Sequence, residues 1–355
     1  MIDLSHPEVE PLRDAAQPAS FEPAPADGVL PRGFYATTNL PTWVLVGTEW
    51  RQPARPRMDG VVVLDGDDLF ITEGRNVRAG QPIVVGLAED GSEGVLVPET
   101  VIARQESTGF QFQSTSVSRE RHIDYDAVAA KLVEERDSGG IVWVLGPAVV
   151  HSRAREDFVW FIENGFVHHV FAGNALAAHD IEMSLFGSAL GVNDRGESVP
   201  DGHAKHLRAI NEVRAAGSIA ALIENGDLSG GIMHALESKQ IPYVLAGSIR
   251  DDGPLPEVET DCVKAQGRMR DVTANQASMV LVVATQLHGI AAGNMLPTMT
   301  SAGGTTRPLT TVCVDQTEFA VNKLHDRGSH QAFGVVTNAQ DFVRSLKQSV
   351  AEIAG

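Results

Sequence analysis

The chain has 355 residues, 43% of them hydrophobic, and a formal net charge of −18. That length allows two or three domains with at least one large core, and the acidic balance argues against nucleic acid or an anionic membrane as partner, since both need basic surface. The only cysteines, Cys262 and Cys313, form no CxxC, so neither a disulfide framework nor a zinc site is expected and no metal is assigned.

Residues 1–29 are rich in Pro, Ala, Glu and Asp and read as a disordered arm. They lack the basic start and apolar core of a secretory signal, and no apolar run in the chain reaches membrane-span length. A cytoplasmic protein without a membrane partner is expected. Residues 30–121 read as a small β-rich domain with a polar linker at 105–121. Its runs VVVLD (61–65), DLFIT (68–72) and PIVVG (82–86) are punctuated by Gly and Asp turns, as in antiparallel sheets.

From 122 to 355 the pattern is α/β. DYDAVAAKLVEER (124–136) has helical periodicity. Apolar runs follow at IVWVLG (141–146), HHVFAG (168–173), PYVLAG (242–247), SMVLVVAT (278–285), TTVCVD (310–315) and FGVVT (333–337), most of them separated by helical stretches. Continuous apolar strands alternating with helices predict a doubly wound parallel sheet covered on both faces. About three helical patterns are expected between 174 and 241.

Several strand ends carry small or polar residues: Gly146-Pro147, Gly173-Asn174, Gly247-Ser248, the 284–294 segment with His288, Gly293 and Asn294, and Asp315. Open α/β sheets bind ligands at the carboxyl ends of their strands. Glycine there admits a phosphate, and a following helix offers free N–H groups. Any one of these motifs alone reads as an ordinary turn; their clustering on one edge favours a dinucleotide site. The chain has no GxG, no P-loop, no GxSxG and no HExxH, so that site is not of the standard fingerprint type.

Individual side chains keep two readings. Asp315 can accept the hydroxyls of a ribose or cap a helix starting near Thr317. Asp251 and Asp252 can hold an ammonium or act as general acid and base, or form a solvated turn with Arg250. His179 and His288 suit proton transfer near neutrality, yet a single histidine is more often structural. His203 and His206 have helical spacing without a third ligand. Tyr35, Thr37, Thr38 and Asn39 in GFYATTNLPTW (33–43) can close over a site from the neighbouring domain or form a plain ST turn.

Taken together, PRGFYATTNLPT, GPAVVH, AGNALAAHDIE, HLRAINEVRAAGSI, YVLAGSIRDDGPLP, LHGIAAGNMLP and VCVD…NKLHDRGSHQAFGVVT resemble the LOR/SDH bifunctional enzyme conserved-domain family. That family includes the archaeal-type ornithine cyclodeaminases and the C-terminal part of cyanobacterial arginine dihydrolase/ornithine cyclodeaminases. The resemblance runs from about Leu30 nearly to the C-terminus and implies a deoxyhypusine-synthase-like NAD-binding fold. It also implies a tightly held NAD and conversion of L-ornithine to L-proline plus ammonia, hence a role in proline biosynthesis, in a homo-oligomer. A hydride is taken from the α-carbon, the δ-amine attacks the resulting imine, ammonia leaves, and the hydride returns to the cyclic imine.

By motif, Gly146, Pro147, Gly173, Asn174, Gly247, Ser248, Gly293, Asn294 and Asp315 would hold the cofactor. Asp251, Asp252 and His288 would carry the chemistry, and Tyr35, Thr37, Thr38 and Asn39 would reach the substrate. Two departures from the family stand out: only a short arm precedes the FYATTN segment, and TSAGGTTRP (300–308) is extra polar sequence. Competing expectations are an NAD-dependent oxidoreductase or lyase on another amino or imino acid, and a non-catalytic nucleotide-binding protein.

Overall fold

A computed structural model describes residues 17–97, 124–193, 195–251, 253–300, 307–317 and 332–354. The expected linker at 105–121, Asp252 and residues 301–306 of the extra polar loop lie outside the described residues.

The N-terminal part contains β1 (Ser20–Pro23), β2 (Trp43–Val46), β3 (Glu49–Arg51), β4 (Val61–Asp65), β5 (Asp68–Thr72), β6 (Pro82–Val85) and β7 (Val95–Leu96). They form two sheets, β1-β6-β4-β5 and β3-β2-β7, with every pairing antiparallel. The expectation of a disordered arm to residue 29 is corrected by β1. Phe21 sits opposite Val84 and packs on the cluster of Tyr35, Val44, Val62 and Val84. One aromatic anchor suffices to seat a strand whose composition otherwise reads as coil.

The rest of the chain runs α1 (Tyr125–Glu135), β8 (Ile141–Leu145), α2 (Ala148–His151), α3 (Arg155–Glu163), β9 (His169–Gly173), α4 (Asn174–Phe186), β10 (Ser188–Ala189), β11 (Val192–Asn193), α5 (Gly202–Ala216), α6 (Ile219–Glu224), α7 (Ile232–Ser238), β12 (Tyr243–Ala246), β13 (Val258–Glu259), α8 (Cys262–Asn275), β14 (Met279–Val283), α9 (Leu287–Gly293), β15 (Met299–Thr300), β16 (Arg307–Pro308), β17 (Thr310–Asp315), β18 (Ala332–Val336) and α10 (Ala339–Ala354). Between 174 and 241 there are four helices, not three. The fourth is the six-residue α6, too short for a periodicity of its own.

Seven strands form one sheet in the order β13-β12-β9-β8-β14-β17-β18, all parallel. Each of the six apolar runs becomes a strand, for a plain reason. In β8, Ile141, Trp143 and Leu145 face one core, whereas Val142 and Val144 face the other. In β14, Met279, Leu281 and Val283 go one way and Val280 and Val282 the opposite way. A strand covered on both sides must be apolar at every position. Trp143 anchors the larger core: its indole N–H donates to the Phe166 carbonyl at 2.9 Å and its ring meets Phe158 edge-on.

The two parts are tied together by buried polar contacts. Glu73, between β5 and β6, accepts from Arg57 at 2.8 Å and from Arg270 of α8 at 2.5 Å. The Asn39 carbonyl accepts from the Thr298 amide at 2.8 Å and from its hydroxyl at 2.7 Å.

Candidate functional site

The chain enters the large sheet at its centre, on β8. It moves outward through β9, β12 and β13, returns to β14 beside β8, and moves outward the other way through β17 and β18. The direction therefore reverses between β8 and β14, and the crevice of an open α/β sheet lies at that switch point. Gly146 ends β8 there, and its amide donates to the Val283 carbonyl at 2.9 Å. A Cβ on Gly146 would overlap the Ala284 carbonyl oxygen. Ala284 itself sits in the left-handed region at φ 52°, a conformation costing a non-glycine residue about 1–3 kcal/mol. The two central strand ends thus close on each other backbone to backbone, which only glycine permits at position 146.

Gly173 ends β9, one strand over. A Cβ there would come within 2.6 Å of His288 Cε1, so the imidazole fits close to this position only because it is glycine. α4 starts directly after it, with Gly173 as a cap that lends no side chain. The first amides of that 13-residue helix and its positive dipole end therefore face the crevice, as an anion site requires. Burial pushes the His288 pKa below its usual value, and the nearby Asp251 charge opposes this only in part. The imidazole is accordingly neutral near pH 7, able to take or give a proton.

Beyond His288 the loop after β12 is stiff. The Ser248 amide donates to Asp251 Oδ2 at 2.8 Å, and the Arg250 amide donates to the Ser248 hydroxyl at 3.2 Å. Asp251 therefore works as a turn clamp while its charge reaches His288. Asn174 clamps the same loop from the start of α4, its amide oxygen accepting from the Leu255 amide at 3.0 Å. The Gly247 amide is bound to Glu259 at 2.9 Å.

The crevice thus assembles Gly146, Pro147, Gly173, His288, Ser248 and Asp251. Asn174 and Gly247 hold its walls through backbone partners. Gly293 and Asn294 lie at the far end of α9, where Asn294 Oδ1 is buried without a partner among the described residues. Asp315 ends β17 on the same rim, but its Oδ1 accepts from both the Thr317 amide and hydroxyl at 2.9 Å. That oxygen is held by Thr317, and the expected helix for Asp315 to cap lies outside the described residues.

The side chains of the N-terminal loop have local partners. Tyr35 is buried inside the β-rich part and donates to Glu89 at 2.8 Å. Thr37 donates to the Arg57 carbonyl at 2.7 Å and accepts from the Gly60 amide at 3.0 Å. Thr38 accepts from the Leu40 amide at 3.1 Å, a plain ST turn. Asn39 meets the α/β part through its carbonyl, which accepts from Thr298. The Thr37 and Thr38 hydroxyls thus accept from backbone amides and the Tyr35 hydroxyl is paired with a carboxylate, all within the β-rich part.

Three features escape a reading of the chain alone: the left-handed Ala284, and the two partners of His179, namely buried Glu182 at 2.9 Å and the half-buried His151 ring at 4.7 Å between centroids. Both residues sit in quoted motifs, GPAVVH and NALAAHDIE. The three-residue spacing of His179 and Glu182 on a helix is a signal, because it puts them on one face.

Because the His288 ring can turn away where a backbone cannot, Gly173→Ala is expected to leave stability within ~1 kcal/mol while lowering turnover at least ~10-fold. Urea denaturation and steady-state rates check this; a stability loss equal to that of Gly146→Ala would refute it.

Comparison with known proteins agrees with this geometry. The family described as arginine dihydrolase ArgZ-like, C-terminal, Rossmann fold matches residues 126–346, and its companion first region matches residues 41–125. An ornithine cyclodeaminase of Methanopyrus kandleri is 42% identical over 340 residues, covering 95% of this chain and 79% of that protein. A solved LOR/SDH protein of Methanococcus maripaludis superposes with a TM-score of 0.85 at 38% identity, covering 96% of this chain and 100% of the other. The bifunctional arginine dihydrolase/ornithine cyclodeaminase AgrE of a Nostoc species is 37% identical, with 94% of this chain and 47% of AgrE aligned. The crystal structure of the ternary complex of AgrE with ornithine and NAD+ matches with a TM-score of 0.59 at 34% identity, over 96% of this chain and 47% of that one. On this sequence similarity and this fold, the chain belongs to the ArgZ-like C-terminal family, the Rossmann-fold family of the archaeal ornithine cyclodeaminases.

Proposed function

We propose that this chain is an NAD-dependent ornithine cyclodeaminase that converts L-ornithine to L-proline and ammonia. The observation that carries the reading is a glycine-framed switch point of Rossmann type in a chain 42% identical to an ornithine cyclodeaminase over most of both lengths. The solved complex of AgrE with ornithine and NAD+ supports the same pair of ligands here.

The residues present fit a dinucleotide. Gly146 and Gly173 let backbone approach a pyrophosphate without a methyl in the way, and the open start of α4 offers it N–H donors. Ser248, Gly293, Asn294 and the rim carboxylate Asp315 complete the lining we assign to the cofactor. When bound, NAD+ supplies a hydride acceptor and, once reduced, a hydride donor, so the overall conversion is redox-neutral. In that conversion a bond forms from the δ-nitrogen to the α-carbon and the α-nitrogen leaves as ammonia.

Protein residues orient the substrate and move protons. His288, neutral and pressed against Gly173, is placed to exchange a proton in the crevice. Asp251 holds the loop and contributes negative charge that draws an ammonium. The domain division at 121/122 and a homo-oligomeric enzyme of proline formation in a reducing cytoplasm belong to the same reading. Free Cys262 and Cys313 and exposed Ile249 and Leu287 near the crevice mouth support these last points. Among the described residues no helix is long and apolar enough to cross a membrane.

The test is direct. Purified protein incubated with NAD+ and L-ornithine should yield proline and ammonia in equal amounts, with no net NADH. Absence of proline at every pH that leaves the fold intact would reject ornithine. Net NADH with a different amino acid would make the chain an oxidoreductase.

A further inference from the structure

Behind the crevice lies a buried cluster that the cofactor site does not use. His179 and Glu182 stand one turn apart on α4, with Nδ1 of the histidine 2.9 Å from Glu182 Oε2. The His151 ring, at the end of α2, meets the His179 ring near edge-on with centroids 4.7 Å apart. From α5, the His206 ring lies 6.2 Å from that of His179. The placement follows from the chain. α2 begins two residues after Gly146 and α4 begins next to Gly173, so both halves of the cluster hang from the glycine strand ends that frame the crevice. His179 lies about 7.5 Å along the helix axis from Asn174.

Three atoms of this region are shut off from solvent and have no hydrogen-bond partner among the described residues: Glu182 Oε1, His151 Nε2 and Ser188 Oγ. Glu182 and Ser188 are both 0% exposed. An unpaired buried polar group costs about 1–3 kcal/mol, and such groups are rare in native proteins. A carboxylate oxygen only accepts, whereas an imidazole nitrogen or a hydroxyl does either. The missing partner of Glu182 Oε1 must therefore be a hydrogen-bond donor, a role that an ammonium or amine fills.

We propose that Glu182, His179 and His151 form a relay for the substrate amine, in which His179 Nε2 takes a proton from the α-ammonium of the amino acid. The inference rests on the cyclodeaminase reading and adds the group that prepares the substrate. An ammonium N–H bond breaks, its electron pair stays on nitrogen as the lone pair of the free amine, and an Nε2–H bond forms. Glu182 holds Nδ1–H and balances the imidazolium charge. The freed lone pair is what makes hydride loss from the α-carbon favourable. His151 stays neutral, since burial and the adjacent His179 hold its pKa down to about 4. It therefore adds no competing positive charge. Asp180, the neighbour of His179 in sequence, takes no part: its carboxylate is occupied by Arg155 at 2.6 Å and by the Ile232 and Met233 amides at 2.9 and 2.8 Å.

The test compares His179→Gln and Glu182→Gln with the parent chain, each with NAD+ and L-ornithine. His179→Gln is expected to lower kcat at least ~100-fold, and Glu182→Gln ~10-fold, while Kd for NAD+ moves less than ~3-fold. In parent protein labelled with 15N-histidine and free of NAD+, L-ornithine is expected to shift the His179 ring nitrogens, assigned by through-bond correlation. This second readout needs neither turnover nor a folded variant. His179→Gln turning over within ~3-fold of the parent, or ornithine shifting only His288, overturns the relay. Failure of the parent to make proline defeats the cyclodeaminase reading alone. The relay is then judged on the same ring nitrogens with L-lysine, L-glutamate and L-proline as probes, and unmoved nitrogens reject it.

Discussion

A Glu73→Gln chain is expected to lose about 3 kcal/mol of stability at neutral pH. The physical basis is the position of Glu73 between two guanidinium groups, Arg57 and Arg270, which are 5% and 6% exposed. Burial alone would raise the pKa of Glu73. The hydrogen bond from its own amide and the charges of Arg57 and Arg270 outweigh that and hold it down to about 2, from an ordinary 4.5. A carboxylate whose folded pKa lies below its unfolded one stabilises fully above the unfolded value. That contribution is lost as pH falls from about 4.5 through about 2. A shift of that size corresponds to about 3 kcal/mol. Removing the charge also strands two buried cations, and Arg270 Nε already lacks a partner among the described residues. Urea denaturation of both chains between neutrality and pH ~3 checks the expectation: the parent should weaken with acid more steeply than the variant. Parallel curves would mean that the carboxylate gains nothing from its partners. Since Arg270 belongs to α8 and Glu73 to the β-rich part, the variant should also loosen the joint between them.

Gly146→Ala carries the second large effect, on the site itself. The added methyl overlaps the Ala284 carbonyl oxygen. Gly146 cannot retreat, because its amide is bound to Val283. Ala284 is already held in the left-handed region and has little room to yield. Overpacking of this kind costs about 1–3 kcal/mol. Forced apart, β8 and β14 would misplace the strand ends on which the cofactor reading depends. Affinity for NAD+ is expected to fall at least ~10-fold, more than for any change confined to the β-rich part. Titration with NAD+ checks this, and unchanged affinity would remove the switch point from cofactor binding. The contrast with Gly173→Ala is informative, since that methyl meets a ring that can rotate rather than a backbone that cannot.

Legibility differed by element. The six long strands of the large sheet could be read from the chain because each has an apolar run, continuous in β8 and β14, which are buried on both faces. β13, with two residues, and β1, with one anchoring phenylalanine, left no pattern to read. Helix α1 was visible from its period, and the structure adds Asp124 as its cap, with the carboxylate accepting from the Ala127 amide at 2.9 Å. Among the site residues, the glycines at the ends of β8 and β9 were legible, since a glycine after an apolar run signals close backbone approach. The two readings of Tyr35, Thr37 and Thr38 could not be separated, because an unspent polar side chain and one already paired look alike in a sequence.

Local order, then, was written in the chain: where strands and helices alternate, and which strand ends carry glycine. These depend on residues within one or two turns of each other. The tertiary structure alone decided that β8 and β14, paired between Ile141 and Met279, lie side by side and create the switch point. It likewise decided that Glu73 meets Arg270, that Asp251 faces His288, and that His151 meets His179. Burial and hydrogen-bond partnership are set by surfaces brought together from distant segments, and those surfaces exist only once the sheet has closed.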